Sequence, residues 1–276
     1  MIDDWWAGAK RRTRAELIDS AVPNVARAAD YIEGGRDNFA SDRKAAQAMM
    51  AVAPVVGVIV PALRAFHQRV IRYLVTEGGV RQFLDVGASL AKSNRTHELA
   101  QAVNPSCRIV YAIGDPMVLA HARALTTSAP SGAVDVVEAH IRDAATIVAG
   151  AAATLDVGKP VAIILLSTSV LSPIADTAAA AAAVSALAAA VPSGSYVALY
   201  HQASDLDPRL RSGVSRWNQL SQQPIALRSR AEVASLVAGL EPVSPGLVTI
   251  DEWHPAPGDP RARGPVPVYG VVARKP

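Results

Sequence analysis

The chain has 276 residues, half of them apolar and 18% charged, so a disordered chain is excluded and there is length for one large domain, or one domain plus an accessory segment. The net charge is only +3. The one basic cluster, Lys10-Arg-Arg-Thr-Arg14, has no aromatic interleaving and no second basic stripe after it; it reads as a solvated face, and no nucleic-acid partner is expected.

A single cysteine, Cys107, excludes an intramolecular disulfide and any multi-cysteine metal site, and it suits a reducing cytoplasm. No metal is expected. The start Met-Ile-Asp-Asp-Trp-Trp lacks the basic and apolar order of a secretory leader. The alanine-rich run Thr177–Val191 is too short and too weakly apolar to span a bilayer and reads as a helix, so no membrane partner is expected either.

Residues 1–78 read as a helical extension or cap, and 79–276 as a second, mixed unit. Helical spacing runs from Glu16 to Ala29, interrupted by Pro23, which suits the first turn of a new helix. Gly34-Gly35 ends that helix. Ser41 or Asp42 then caps another, and a third is expected over about Ala62 to Thr76, stopped by Gly78-Gly79.

From Gln82 short apolar runs alternate with helical patterns. Strands are expected at Gln82–Val86, Arg108–Ile113, Ala133–Ala139, Val161–Ser167 and Ser195–His201. Helices are expected between them at Asn94–Val103, Pro116–Thr126, Asp143–Ala153 and Thr177–Ala190. A loop follows at Asp205–Arg211. Ser229, with Glu232 three residues on, has the capping-box pattern of a further helix. Two closing strands, Leu247–Trp253 and Val266–Arg274, flank the Pro255–Pro265 loop. The alternation predicts an α/β fold with a parallel sheet and helices on both faces. Ending in a hairpin favours a seven-stranded, methyltransferase-like, Rossmann-like three-layer sandwich over a dinucleotide-binding dehydrogenase.

Four long stretches carry a resemblance. Ala29-Asp-Tyr-Ile-Glu-Gly-Gly-Arg-Asp-Asn-Phe-Ala-Ser-Asp-Arg43, Arg72-Tyr-Leu-Val-Thr-Glu-Gly-Gly-Val-Arg-Gln-Phe-Leu-Asp-Val-Gly87, Asp115-Pro-Met-Val-Leu-Ala-His-Ala-Arg-Ala-Leu125 and Leu227-Arg-Ser-Arg-Ala-Glu232 resemble an actinobacterial family of S-adenosylmethionine (SAM) methyltransferase-like proteins. The likeness spans roughly residues 20–275. It implies the class I methyltransferase fold, SAM as cofactor, and a pocket at the C-terminal ends of the first strands.

Within that resemblance the cofactor positions fall on Asp85, Gly87 and Ser89 of the first loop, on Ile113 and Asp115 after the second strand, and on His140 and Ile141 after the third. The family's second loop glycine is Ser89 here, its ribose-binding acid is Ile113, and its adenine-binding acid is His140. Asp115 also reads as a helix cap. Tyr31, Arg36 and Asn38 lie in the first signature, which the family implies closes over the cofactor's carboxylate end, where a guanidinium suits a carboxylate. Ser167, Thr168 and Ser169 end the fourth strand and offer hydroxyls to a substrate. His97 and His201 are further candidates for its pocket. His97-Glu98 is a weak metal signal, because neighbouring residues on a helix do not face one way.

Two readings follow. One is a SAM-dependent methyltransferase acting on a small molecule. The other is a methyltransferase-fold protein that has left ordinary SAM use, motivated by Ser89, Ile113 and His140 together; it would bind another ligand, catalyse a reaction such as a cyclisation, or act as a partner subunit. A nucleic-acid methyltransferase is disfavoured by the absence of an Asn/Asp-Pro-Pro-Tyr type motif after the fourth strand. Association into a homodimer is left open.

Overall fold

Three helices precede the sheet in the computed structural model, which describes residues 18–90, 94–257 and 266–276: α1 (Val25–Ile32), α2 (Ala40–Val52) and α3 (Val56–Thr76). The basic cluster at 10–14, the beginning of the helix expected from Glu16, and most of the Pro255–Pro265 loop lie outside those residues.

Asn24 caps α1, its side-chain oxygen accepting from the backbone N–H groups of Ala26 and Arg27. Pro23 therefore stands ahead of the cap and not in the first turn. Gly34 takes φ +75° just past the helix end, a conformation that favours glycine. The cap position of α2 is Phe39, two or three residues before the expected one. Asp42 works from within the first turn instead, accepting from the Phe39 N–H at 2.7 Å. The same buried carboxylate pairs with Arg27 at 2.8 Å and accepts from the Asn24 N–H, so it bolts α1 to α2. α3 begins at Val56, six residues before the expected Ala62, because Pro61 sits inside it and disguises its first turns.

The sheet domain runs β1 (Gln82–Val86), α4 (Thr96–Val103), β2 (Arg108–Ile113), α5 (Pro116–Leu125), β3 (Ala133–Glu138), α6 (Ala144–Ala151), β4 (Ala162–Leu165), α7 (Thr168–Leu171), α8 (Thr177–Ala189) and β5 (Tyr196–Gln202). It closes with α9 (Pro208–Leu220), α10 (Arg230–Ser235), β6 (Glu241–Pro242), β7 (Val248–Thr249) and β8 (Val268–Arg274). The strand order is β3-β2-β1-β4-β5-β8-β6, with β7 also paired to β8. β1 to β5 are parallel, while β8 runs antiparallel to β5 and to both short strands.

The sheet thus has eight strands where seven were expected. Pairing is confined to two residues in each of β6 and β7, too short for any alternation to show, and only Val248–Thr249 of the expected Leu247–Trp253 strand joins β8. The second departure is α9, whose first residues had been read as loop. Asp207 caps it, accepting from the Arg209 N–H, and Pro208 takes the first helical position, where its missing donor costs nothing.

Every residue of β1 and β4 is buried, as expected of parallel strands covered by helices on both faces. Side-chain alternation sorts the core into two layers. Phe83, Ile109, Ile164 and Tyr200 face α1–α3, whereas Leu84, Val110, Ile163 and Leu199 face α6, α8 and α10. Among the described residues no single helix is long and apolar enough to cross a membrane; α2 and α3 pass as a pair on length and composition only, and they are bent by 105°.

Candidate active site

The strand order reverses between β1 and β4, and ligands in open α/β sheets bind outside the carboxyl ends of the strands at such a point. Here the helical cap roofs that edge and leaves a cavity of about 120 Å³ between α1–α3, α9 and the ends of β1, β4 and β5. Its walls are apolar where the helices supply them, with Met49, Ile59, Leu63, Leu210 and Trp217. The polar groups gather on the sheet side and at one rim: His67, Ser89, Ser167, Thr168, Ser169, Tyr200 and Gln202, with the Arg64–Glu33 pair.

These polar groups hold one another in place. Ser167 Oγ and Ser169 Oγ are 2.8 Å apart. Gln202 Nε2 donates to Thr168 Oγ1 at 3.0 Å, the Tyr200 hydroxyl meets the same oxygen at 3.2 Å, and Ser172 donates to Gln202 Oε1 from behind. Burial pushes the Tyr200 hydroxyl up to about 12, so it stays a neutral donor and acceptor near neutral pH. Arg64 grips Glu33 with two bonds of 2.6 Å, and its Nη1 also reaches Ser89 Oγ at 3.5 Å.

The three hydroxyls read from the end of the fourth strand therefore all line the cavity. Both histidines assigned to the substrate pocket need correction. His97 is 2% exposed and turned into the sheet, its Nδ1 2.8 Å from the Tyr111 hydroxyl. His201 points to the opposite face of β5 from Tyr200 and Gln202, as period-2 alternation requires. There Arg228 donates to its Nε2, and its Nδ1 is 3.1 Å from the Gln202 carbonyl. An Arg donor fixes the neutral tautomer with hydrogen on Nδ1. Burial, with Arg228 beside it, holds the imidazole down at about 4.

The first signature is spent largely on its own turn. Asp30 accepts from the Asp37 N–H and from Asn38 Nδ2, and a Cβ at Gly35 would lie 1.9 Å from the Asp30 carboxylate. Tyr31 accepts from Gln47 Nε2, and Arg36 is exposed. None of Tyr31, Arg36 and Asn38 lines the cavity.

The β1 loop is set by Gly87, at φ +79°, where a Cβ would stand 2.0 Å from Val170 Cγ2. Only glycine takes that conformation at no steric cost. Ser89 is not among the residues with positive φ, so the loop does not need a glycine there. Residues 91–93 of the loop lie outside the described residues. Beneath the loop Asp85 is buried at 6% exposure and accepts from Thr96 Oγ1 at 2.5 Å. Thr96 Oγ1 is in turn 2.8 Å from His67 Nε2, on the cavity wall. Sequence reasoning missed His67 and Arg64, which sit on α3 three residues apart and share a helix face. It also missed Gln202 and Trp217.

The family model for S-adenosyl methyltransferases matches residues 11–276. The chain belongs to this family. A DUF574-family protein from Streptomyces avermitilis is 34% identical, with a TM-score of 0.88 over 94% of this chain and 99% of that one. A predicted methyltransferase from Thermobifida fusca is 31% identical, with a TM-score of 0.83 over 93% of this chain and 96% of that one. The comparison with curated proteins gave no match.

Membership of this family implies SAM as the cofactor. The β1 loop fits the amino-acid end: glycine stands where positive φ is required, and Ser89 keeps an ordinary backbone with its side chain on the cavity. The ribose end is different. Ile113 is 1% exposed and carries no acceptor. Asp115 is engaged in the fold, since Oδ1 caps α5 through the Met117 and Val118 N–H groups and Oδ2 accepts from Asn24 Nδ2. The exposed His140 ring packs on Gly114, where a Cβ would come within 2.2 Å of it, which puts an imidazole beside the β2 end. Ile141 is buried in the other core layer. Among the described residues no group of His, Cys, Asp and Glu is arranged to hold a metal.

Proposed function

We propose that this protein transfers a methyl group from SAM to a small, largely apolar molecule seated under the helical cap. The observation that carries the reading is the cavity itself, whose apolar roof meets a polar floor at the loop and strand ends where the family's cofactor belongs. When bound, SAM supplies an already activated methyl group, so the protein's share is positioning, exclusion of water and handling of one proton.

In this reading Gly87 and Ser89 bring backbone close to the cofactor's amino-acid end, with Asp85 supporting the loop from below. His140 serves the nucleoside end, offering a ring nitrogen to the adenine amino group or the ribose. Ser167, Thr168 and Ser169 orient the acceptor, backed by Tyr200 and Gln202. The apolar wall from α9 and the cap holds the body of the substrate and excludes water.

Isothermal titration with S-adenosylhomocysteine tests the reading. The expected result is saturable binding at or below roughly 0.1 mM, lost in Gly87→Val. No heat at about 1 mM ligand with folded wild-type protein would overturn it.

A further inference from the structure

We infer that His67 is the proton acceptor of the cavity, passing the substrate's proton through Thr96 to Asp85. The inference rests on the methyl-transfer reading for its substrate, but the relay is a property of the chain alone.

The three groups form one unbranched line from cavity to core. His67 lines the cavity from α3. Its Nε2 is 2.8 Å from Thr96 Oγ1, and Thr96 Oγ1 is 2.5 Å from Asp85 Oδ2. Thr96 is 1% exposed and Asp85 6%, so water does not compete along the line. A threonine hydroxyl has one hydrogen to give and lone pairs to receive with. When Asp85 is ionised it accepts that hydrogen, so His67 must donate from Nε2. That leaves the Nδ1 lone pair as the ring's free acceptor, and no described residue is hydrogen-bonded to it.

The chemistry balances. As the acceptor's heteroatom–hydrogen bond breaks, its electron pair forms the bond to the incoming methyl carbon, and the carbon–sulfur pair returns to the donor sulfur. The acceptor's proton goes to His67 Nδ1, the Nε2 proton goes to Thr96 Oγ1, and the Thr96 proton goes to Asp85 Oδ2. His67 starts and ends neutral, with its hydrogen moved from one nitrogen to the other. Asp85 loses its negative charge in the same event that removes the donor's positive one.

The surroundings suit this route better than a simple histidine base. Burial and the Arg64 guanidinium hold the His67 imidazole down at about 3, so an imidazolium would not persist there. Burial pushes Asp85 up to about 7 against the Thr96 hydrogen bond, which makes it a proton store at working pH. The charged and titratable groups around the line are Arg64 on α3, paired with Glu33 at the end of α1, Tyr111 on β2 beside Asp85, and His97 with the Arg95–Glu98 pair, which flank Thr96 at the start of α4. Tyr200 on β5 shares the cavity and is influenced by Arg64 and Glu33.

The test is the tautomer of His67, read by NMR from imidazole nitrogen shifts in the full chain without cofactor. The relay requires hydrogen on Nε2 at high pH. As Asp85 takes up a proton near pH 7 it donates to Thr96, Thr96 turns to donate to Nε2, and the hydrogen moves to Nδ1 while the ring stays neutral. Thr96→Val should abolish this switch, and Thr96→Ser, which keeps the hydroxyl should Val perturb folding, should preserve it. A single His67 tautomer from pH 5 to 9 in wild-type protein, or a switch that persists in Thr96→Val, would overturn the inference. Because no cofactor is added, a failed S-adenosylhomocysteine titration beside an intact switch would count against the methyl-transfer reading and not against the relay.

Discussion

Replacing Asp85 by asparagine should make the protein more stable at alkaline pH and leave it no better at acid pH. Asp85 is buried and its acidity is pushed from the ordinary carboxylate range up to about 7. A raised carboxyl pKa means that the native state binds a proton which the unfolded chain has released. The contribution of Asp85 to stability is therefore complete below pH 4 and falls as pH rises toward 7, where Asp85 ionises in the native state. Each pH unit in that window is worth about 1.4 kcal/mol, so between pH 5 and pH 8.5 the ionised carboxylate costs the wild type about 3 kcal/mol. Asparagine keeps an oxygen for the Thr96 hydroxyl and carries no charge; its buried amide hydrogens cost about 1–2 kcal/mol at every pH. About 1.5 kcal/mol is already lost between the ordinary carboxylate range and pH 5, so the variant should be about as stable as wild type at pH 5 and about 2–3 kcal/mol more stable at pH 8.5. Paired urea titrations at both pH values measure this, and effects common to both proteins cancel in the difference. A difference that stays constant within about 0.5 kcal/mol across the range would refute the argument that Asp85 titrates near neutrality.

Three further predictions follow from the same geometry. Gly87→Ala combines an unfavourable positive φ with a Cβ driven into Val170, and should cost about 2–4 kcal/mol in chemical denaturation, a cost under about 0.5 kcal/mol contradicting the loop geometry. Arg228→Met removes donors from Leu171 O, Ile174 O and His201 Nε2, so it should cost about 3 kcal/mol or more, while the His201 ring titrates closer to the ordinary imidazole range by NMR; an unmoved His201 would show that Arg228 is not what fixes its neutral form. Wild-type stability should fall as pH drops from 6.5 toward 4, because His67, His97 and His201 are held down at about 3, 4 and 4 and remain neutral in the native state while the unfolded chain protonates. Asp85 offsets one of those three protons, leaving a slope of about 2–3 kcal/mol per pH unit, and a flat profile in that window would contradict it.

The sequence showed the parallel sheet because β1, β4 and β5 are mainly apolar runs bounded by turn residues, the pattern that burial on both faces demands, while the edge strand β3 carries Asp135 and Glu138 and is only partly covered. The antiparallel closing strands were legible as a pair, but β6 was not, since two residues ending in a proline carry no alternation. α9 was legible and missed. Asp207-Pro208 is a helix start, and Leu210, Val214 and Trp217 recur at helical spacing; the Asp- and Arg-rich run ahead of them drew the eye to a loop. At the site, Ser167, Thr168 and Ser169 were found because they end a strand whose position was known. His67 could not be singled out, because its partners Thr96 and Asp85 lie 29 and 18 residues away and meet it only when α3 and α4 pack beside β1. His97 and His201 were misassigned for the converse reason: near a strand or loop end, the face a side chain takes depends on register, and one residue's shift reverses it. The polar run in Asp30–Asn38 invited a ligand and turned out to serve the Asp30 turn.

The most direct test of the account is a crystal structure grown with S-adenosylhomocysteine. The account predicts density along the ends of β1 and β2, with the amino-acid end against Gly87 and Ser89, the ribose beside Ile113 and His140, and the thioether sulfur turned toward the cavity at Ser167–Ser169. Density confined to some other part of the molecule, or a ligand in the cavity with the β1 loop left bare, would contradict it.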